Sequence, residues 1–184
     1  MMVIMFRNTK RRRREALTNY KKRITMLKGG MDRLVVRKSN RGIIAQLVSF
    51  DLKGDRILAS AYSGELKPMG WQPRANTPTA YLTGFLLAQK SKKLGVEKCI
   101  LDIGLYKPIK SSVVFSAAKG ALDNGMPVIG KIEADEKRIS GLHIMAYAKS
   151  AKRENQFSSY KKSGFDVSNM ASAFEGAKKK ITEK

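Results

Sequence analysis

Arg11, Arg12, Arg13 and Arg14 stand side by side in a chain of formal net charge +22. Adjacent guanidiniums repel one another in water. A polyanion relieves that repulsion, and each phosphate neutralised releases condensed counterions. The planar arginine fork also takes phosphate oxygens in pairs and stacks on unpaired bases. The run therefore points to nucleic acid. Arg7, Lys10, Lys21, Arg23 and Lys28 extend the same segment, in which Glu15 is the one acid before residue 30. Tyr20 reads first as a core anchor and second as a ring for base stacking. Arg33, Arg37, Lys38, Asn40 and Arg41 bunch at a sheet turn and are expected to join the arginine segment in one RNA-facing surface. Lys67, Trp71 and Arg74 read either as a base-stacking platform or as a loop whose Trp closes the core. Tyr106, Lys107 and Lys110 of a later loop, with Lys152 and Arg153, complete the candidate contacts.

Catalytic signals are weaker. Asp102-Ile103-Gly104 ends an apolar run, and in some phosphotransferase folds an Asp-x-Gly there holds metal and phosphate. A two-metal nuclease needs several carboxylates, and Asp102 has no obvious acidic partner near the other strand ends, although Asp51, Asp55 and Asp123 exist. Asp102 reads as a polar strand-end residue setting a turn. The alternative class is a metal-dependent nuclease or phosphotransferase. His143 is the sole histidine and lies between Leu142 and Ile144, so a Ser/His/Asp site is not expected. Cys99 is the sole cysteine, which excludes an internal disulfide and, with one histidine, a zinc site. There is no P-loop or dinucleotide fingerprint. No catalytic residue, metal, cofactor or small-molecule substrate is expected.

The elements must present these side chains. The 184 residues, 42% of them hydrophobic, suffice for one core with extensions. Lys and Arg number 37 against 15 acids, with a pI near 10.3. The apolar segments read as core, not as an amphipathic membrane helix. No stretch approaches the roughly 20 apolar residues of a spanning segment, and the apolar start Val3 to Phe6 is too short for a signal peptide. The chain is expected to be soluble and cytoplasmic.

A helix is predicted from the arginines to Gly29-Gly30, docking by Leu17, Tyr20, Ile24 and Leu27. Three strands follow as a meander: one through Leu34 and Val36, then Ile43 to Phe50, then Arg56 to Tyr62. Residues 64–76 read as loop. Thr77 is expected as N-cap and Pro78 as first residue of a helix ending at Gly95. Val96 to Ile103 reads as a strand covered on both faces. Ser111 or Ser112 caps a helix ending near Gly125, Met126 to Ile129 is a short strand, and Glu133 to Ala151 a helix with an acid-to-base gradient. The fold class is α/β with mixed strand directions. The division expected is a basic arm at 1–30, an RNA-binding domain at 31–151, and a basic extension at 152–184 laid on a partner or on the domain.

Several motifs resemble a known family. Arg11-Arg12-Arg13-Arg14-Glu15-Ala16 with Thr18-Asn19-Tyr20, then Arg33 to Asn40, Ala45 to Val48 and Leu58 to Ala61 are similar to the archaeal and eukaryotic form of ribosomal protein eighteen of the large subunit. Ala80 to Gly84, Leu101 to Leu105 and Gly141 to Ile144 continue the likeness over nearly the whole chain. The resemblance implies a three-layer, ribonuclease-H-like mixed sheet used as a scaffold without catalysis. It implies 5S rRNA, large-subunit rRNA and neighbouring large-subunit proteins as partners, a place in the central protuberance, and a ribosome-bound location. The rival enzyme would then be a nuclease or phosphotransferase on a related fold. The carboxyl tail, with Lys161, Lys162 and Lys178 to Lys180, is more basic than the acidic tails of salt-loving relatives, which suggests further phosphate contact.

Overall fold

The computed structural model describes residues 9–150 and 156–183. The amino-terminal segment forms two helices, α1 (Arg11–Arg14) and α2 (Tyr20–Leu27), where one was predicted. Ala16 between them takes φ +51°, at a cost of about 1–2 kcal/mol for a residue with a Cβ. Asn19 then accepts the Lys22 amide and caps a fresh helix. Its short polar side chain competes with the helical backbone, which is why the periodicity did not run through. The apolar stripe is also different. Leu17 and Ile24 are 51% and 53% exposed, and Met26 is the buried residue of α2. Arg23 sets this rotation, because its Nη2 donates to both Asp55 carboxylate oxygens at 2.8 Å and Met26 lies three residues further on the same side.

The meander is present as β1 (Asp32–Lys38), β2 (Ile43–Ser49) and β3 (Arg56–Tyr62), paired antiparallel. A bulge between Leu47 and Val48 adjusts the β2–β3 register. Residues 64–69, read as the start of a loop, belong instead to a 3-10 helix over Ser63–Met69. Helix α3 (Thr77–Ser91) leads to β4 (Cys99–Asp102), which runs parallel to β1 and pairs Val35 with Asp102. Helix α4 (Val113–Asp123) leads to β5 (Val128–Ile129), parallel to β4. The five-stranded order is β3-β2-β1-β4-β5.

Strand alternation gives the sheet two unlike faces. Leu34, Val36, Ile43, Ala45 and Leu47 point into the core beneath α3 and α4. Arg33, Arg37 and Asp102 point to the other face, where α2 lies. The N-cap of α3 is Asn76, one residue earlier than expected: it accepts the Thr79 amide at 3.2 Å. Ser112 occupies the N-cap position of α4 without a side-chain bond. Helices α3 and α4 cross so closely that a Cβ on Gly84 would overlap the Ala117 carbonyl, and one on Gly120 the Tyr81 carbonyl.

The helix predicted over Glu133 to Ala151 is broken. It forms α5 (Glu136–Ile139) and α6 (Leu142–Ser150) about Gly141, at φ +82°; Ala151 lies outside the described residues. Asp135 caps α5, and the acids that suggested a longer helix serve the shorter one. Residues 156–183 lie on the domain as α7 (Ser158–Lys162), a 3-10 turn, and α8 (Met170–Thr182). Met170, Phe174, Ala177 and Ile181 recur at helical spacing and bury one face of α8. Phe174 meets Tyr81 with ring centres 5.4 Å apart.

Candidate nucleic-acid interface

Arg33 is only 2% exposed. Its Nη1 donates to Asp102 Oδ2 at 3.3 Å, and its Nη2 lies 2.7 Å from Asp55 Oδ2. The latter is a charge contact without hydrogen-bond alignment, so Nη2 and Nε are left without a bonded acceptor among the described residues. A buried guanidinium must be paired to be tolerated, and two carboxylates do this. Burial raises the Asp55 pKa, but the guanidiniums of Arg33 and Arg23 beside it outweigh burial and hold the carboxyl below its ordinary value. Arg33 is therefore an internal tie beneath α2 and not a phosphate contact.

Arg37, four residues on, shares that face but lies one residue from the end of the strand, and its side chain stays 44% exposed. Its Nη1 donates to the carbonyls of Val36 and Asp102 at 2.9 and 3.1 Å, which fixes the head and leaves one edge to solvent. Asp102 Oδ1 accepts the Gly104 amide at 2.8 Å, so this carboxylate sets the turn after β4 while pairing with two arginines. Among the described residues no three His, Cys, Asp or Glu side chains are grouped as a metal would need. His143 lies exposed in the first turn of α6. Cys99 is buried in β4, and burial, with the charge of Asp32, pushes its thiol up to about 12.

The other candidates divide by exposure. Arg11 to Arg14 are all exposed. Arg11 pairs with Glu15 at 3.3 Å, and Arg12 Nε donates to Thr18 Oγ1 at 2.9 Å. Lys21 on α2 and Lys28 at its carboxyl cap are exposed; Lys10 sits over the Tyr20 ring at 5.2 Å. Lys38, Asn40 and Arg41 crown the β1–β2 turn. The Tyr106 hydroxyl donates to the Lys38 carbonyl at 2.8 Å and ties the β4–α4 loop to that turn. Lys107 is exposed beside it, and Lys110 pairs with Glu133 at 2.7 Å. Arg7, Lys152 and Arg153 lie outside the described residues.

No platform forms at Lys67, Trp71 and Arg74. Trp71 is 1% exposed, donates from Nε1 to Thr79 Oγ1 at 2.9 Å, and meets Phe165 and Phe174 edge-on. It closes the core, the second of the two roles its surroundings allowed. Arg74 donates to the Ser159 carbonyl and covers the Tyr160 ring, so it pins α7; Lys67 alone stays exposed. Lys178, in the basic tail, lies over the Tyr81 and Phe85 rings.

Arg12, Arg23, Arg37 and Tyr106 meet in one cleft of about 520 Å³ between the α1–α2 segment and the β4–α4 loop. Three further residues line it that charge reading passes over: Lys22, Leu17 and Leu105. Lys22 had a signal, its place in the basic segment. The two leucines had none, because only the fold leaves them at a basic surface.

Comparison with known proteins completes the picture. A family model described as ribosomal large subunit proteins 60S L5 and 50S L18 matches residues 5–97. The chain is 45% identical over 182 residues to the large ribosomal subunit protein uL18 of Thermofilum pendens, covering 94% of this chain and 93% of that one. It is 44% identical over 180 residues to uL18 of Sulfurisphaera tokodaii, covering 93% and 92%.

Proposed function

Since this chain belongs to the family of large-subunit ribosomal proteins that includes 60S L5 and 50S L18, a structural and not an enzymatic family, we propose that it grips 5S rRNA and helps attach it to large-subunit rRNA in the central protuberance. It works there as a scaffold, ribosome-bound and beside neighbouring large-subunit proteins. One observation carries the reading. The cleft joins Arg12 of the arm to Arg37 and Tyr106, and Tyr106 is bonded to Lys38 of the β1–β2 turn, so arm and turn make one cationic surface. Cations positioned this way neutralise phosphates and fix register, while A-form grooves hide most base edges. The strand order β3-β2-β1-β4-β5, antiparallel on one side and parallel on the other, supports a ribonuclease-H-like scaffold. The carboxylate such an enzyme would use, Asp102, is here engaged by Arg33, Arg37 and the Gly104 amide.

Replacing Arg11 to Arg14 with alanine tests the arm. These side chains are exposed and bury nothing, so folding should persist. The expected result is sharply weaker binding to 5S rRNA, with the slope of log K against log salt reduced by about 0.7–0.9 per lost contact. Unchanged affinity at moderate salt refutes the role of the arm. Equal affinity for duplex DNA of the same length would instead identify a general polyanion binder.

A further inference from the structure

We propose that the cleft between the arm and the β4–α4 loop receives one unpaired nucleotide of the bound RNA, its base against Leu17, Leu105 and Tyr106 and its phosphate among Arg12, Lys22 and Arg37. The inference rests on the RNA-binding reading above and adds a specific receptor to it. At about 520 Å³ the cleft has the size of a small-molecule site, within the roughly 300–1,000 Å³ usual for such pockets. A base held in a duplex cannot enter it, whereas an unpaired base can be splayed out and stacked.

The lining is of the matching kind. Leu17, Leu105 and Tyr106 are 51%, 59% and 42% exposed. These apolar groups line the same cleft as the cations. Lys22 makes no ion pair among the described residues, and Arg37, with Nη2 3.7 Å from Asp102 Oδ2, stays 44% exposed. The combination of apolar wall, aromatic ring and cations is how single-stranded nucleic acid is held.

The walls are also fixed in advance. The Tyr106 hydroxyl is bonded to the Lys38 carbonyl, Arg37 to two carbonyls, and Arg12 to Thr18. Gly104, at φ +60°, lets the Arg37 guanidinium lie 3.2 Å from where a Cβ would stand. A side chain there would press on the Arg37 head, which would have to give by a few tenths of an ångström. Such preorganisation lowers the entropy lost on binding.

The test measures 5S rRNA affinity over a series of salt concentrations for the wild-type chain, Leu105→Ser and Leu122→Ser. Both leucines are surface residues, and Leu122 on α4 is the control distant from the arm. Leu105→Ser should weaken binding roughly tenfold, with an unchanged salt slope because no cation is lost. Leu122→Ser should bind like wild type. Ultraviolet cross-linking of the unmodified complex should join the peptide holding Leu105 and Tyr106 to an unpaired nucleotide. Wild-type affinity in Leu105→Ser overturns the inference, as does a loop cross-linked only to paired nucleotides or only to another protein. If wild-type protein itself fails to bind 5S rRNA, the parent reading falls too, so the two failures are distinct.

Discussion

Arg33 and Arg37 are the same residue type on the same strand, and alternation places both on the same face. What separates them is cover: α2 lies across Arg33, while Arg37 stands at the open end beside the cleft. Sequence reading grouped both as RNA contacts, because charge is visible in a sequence and burial is not. Asp55 is the residue that makes the buried position tenable, since it meets both Arg33 and Arg23. Asp55→Asn removes one of the two carboxylates that balance the buried Arg33 charge and should cost about 1–3 kcal/mol at neutral pH. The pH dependence has a definite sign. The folded-state pKa of Asp55 is lowered, so its contribution is complete above the ordinary carboxylate range near about 4 and is lost as pH falls through the lower folded value. Urea unfolding at a series of pH values should therefore show wild type and Asp55→Asn converging in acid. A gap that widens in acid contradicts the ion-pair account.

At the scale of elements, the strands were legible from alternation and turn residues, and the five appear within a few residues of expectation. Helix continuity was not. Ala16 and Gly141, both at positive φ, divide two segments that periodicity in the first and an acid-to-base gradient in the second suggested as single helices. In each case a residue that competes for backbone hydrogen bonds or frees the backbone wins over a weak local pattern. The crossing of α3 and α4 depends on Gly84 and Gly120, where each helix touches the carbonyl of the other. Gly84→Ala should destabilise by about 1–3 kcal/mol, because the packed helices must part. Gly176→Ala, in α8 with nothing near the added methyl, should instead stabilise by about 0.5–1 kcal/mol. Denaturant midpoints of the two variants should move in opposite directions; a shared direction would show that helix propensity alone governs both.

Across the whole molecule, the carboxyl-terminal residues gain a meaning that local reading could not supply. Phe165 and Phe174 stand alone among polar neighbours in the sequence, yet they enclose Trp71, and α8 seals α3. Truncation after Asn169 would expose Trp71 and Tyr81. The expected outcome is a red-shifted tryptophan emission and loss of cooperative thermal unfolding, and an unchanged transition would show that α8 is dispensable. Among the described residues no helix is long and apolar enough to cross a membrane. By itself the sequence determined the polyanionic partner, the mixed α/β class and the family, because net charge, periodicity and motif are carried in the chain's order. Only the tertiary structure decided which cations are free, that Trp71 is core, and that arm and loop close on one cleft. Those are questions of which element lies over which residue, and burial is fixed by contacts between segments far apart in the chain.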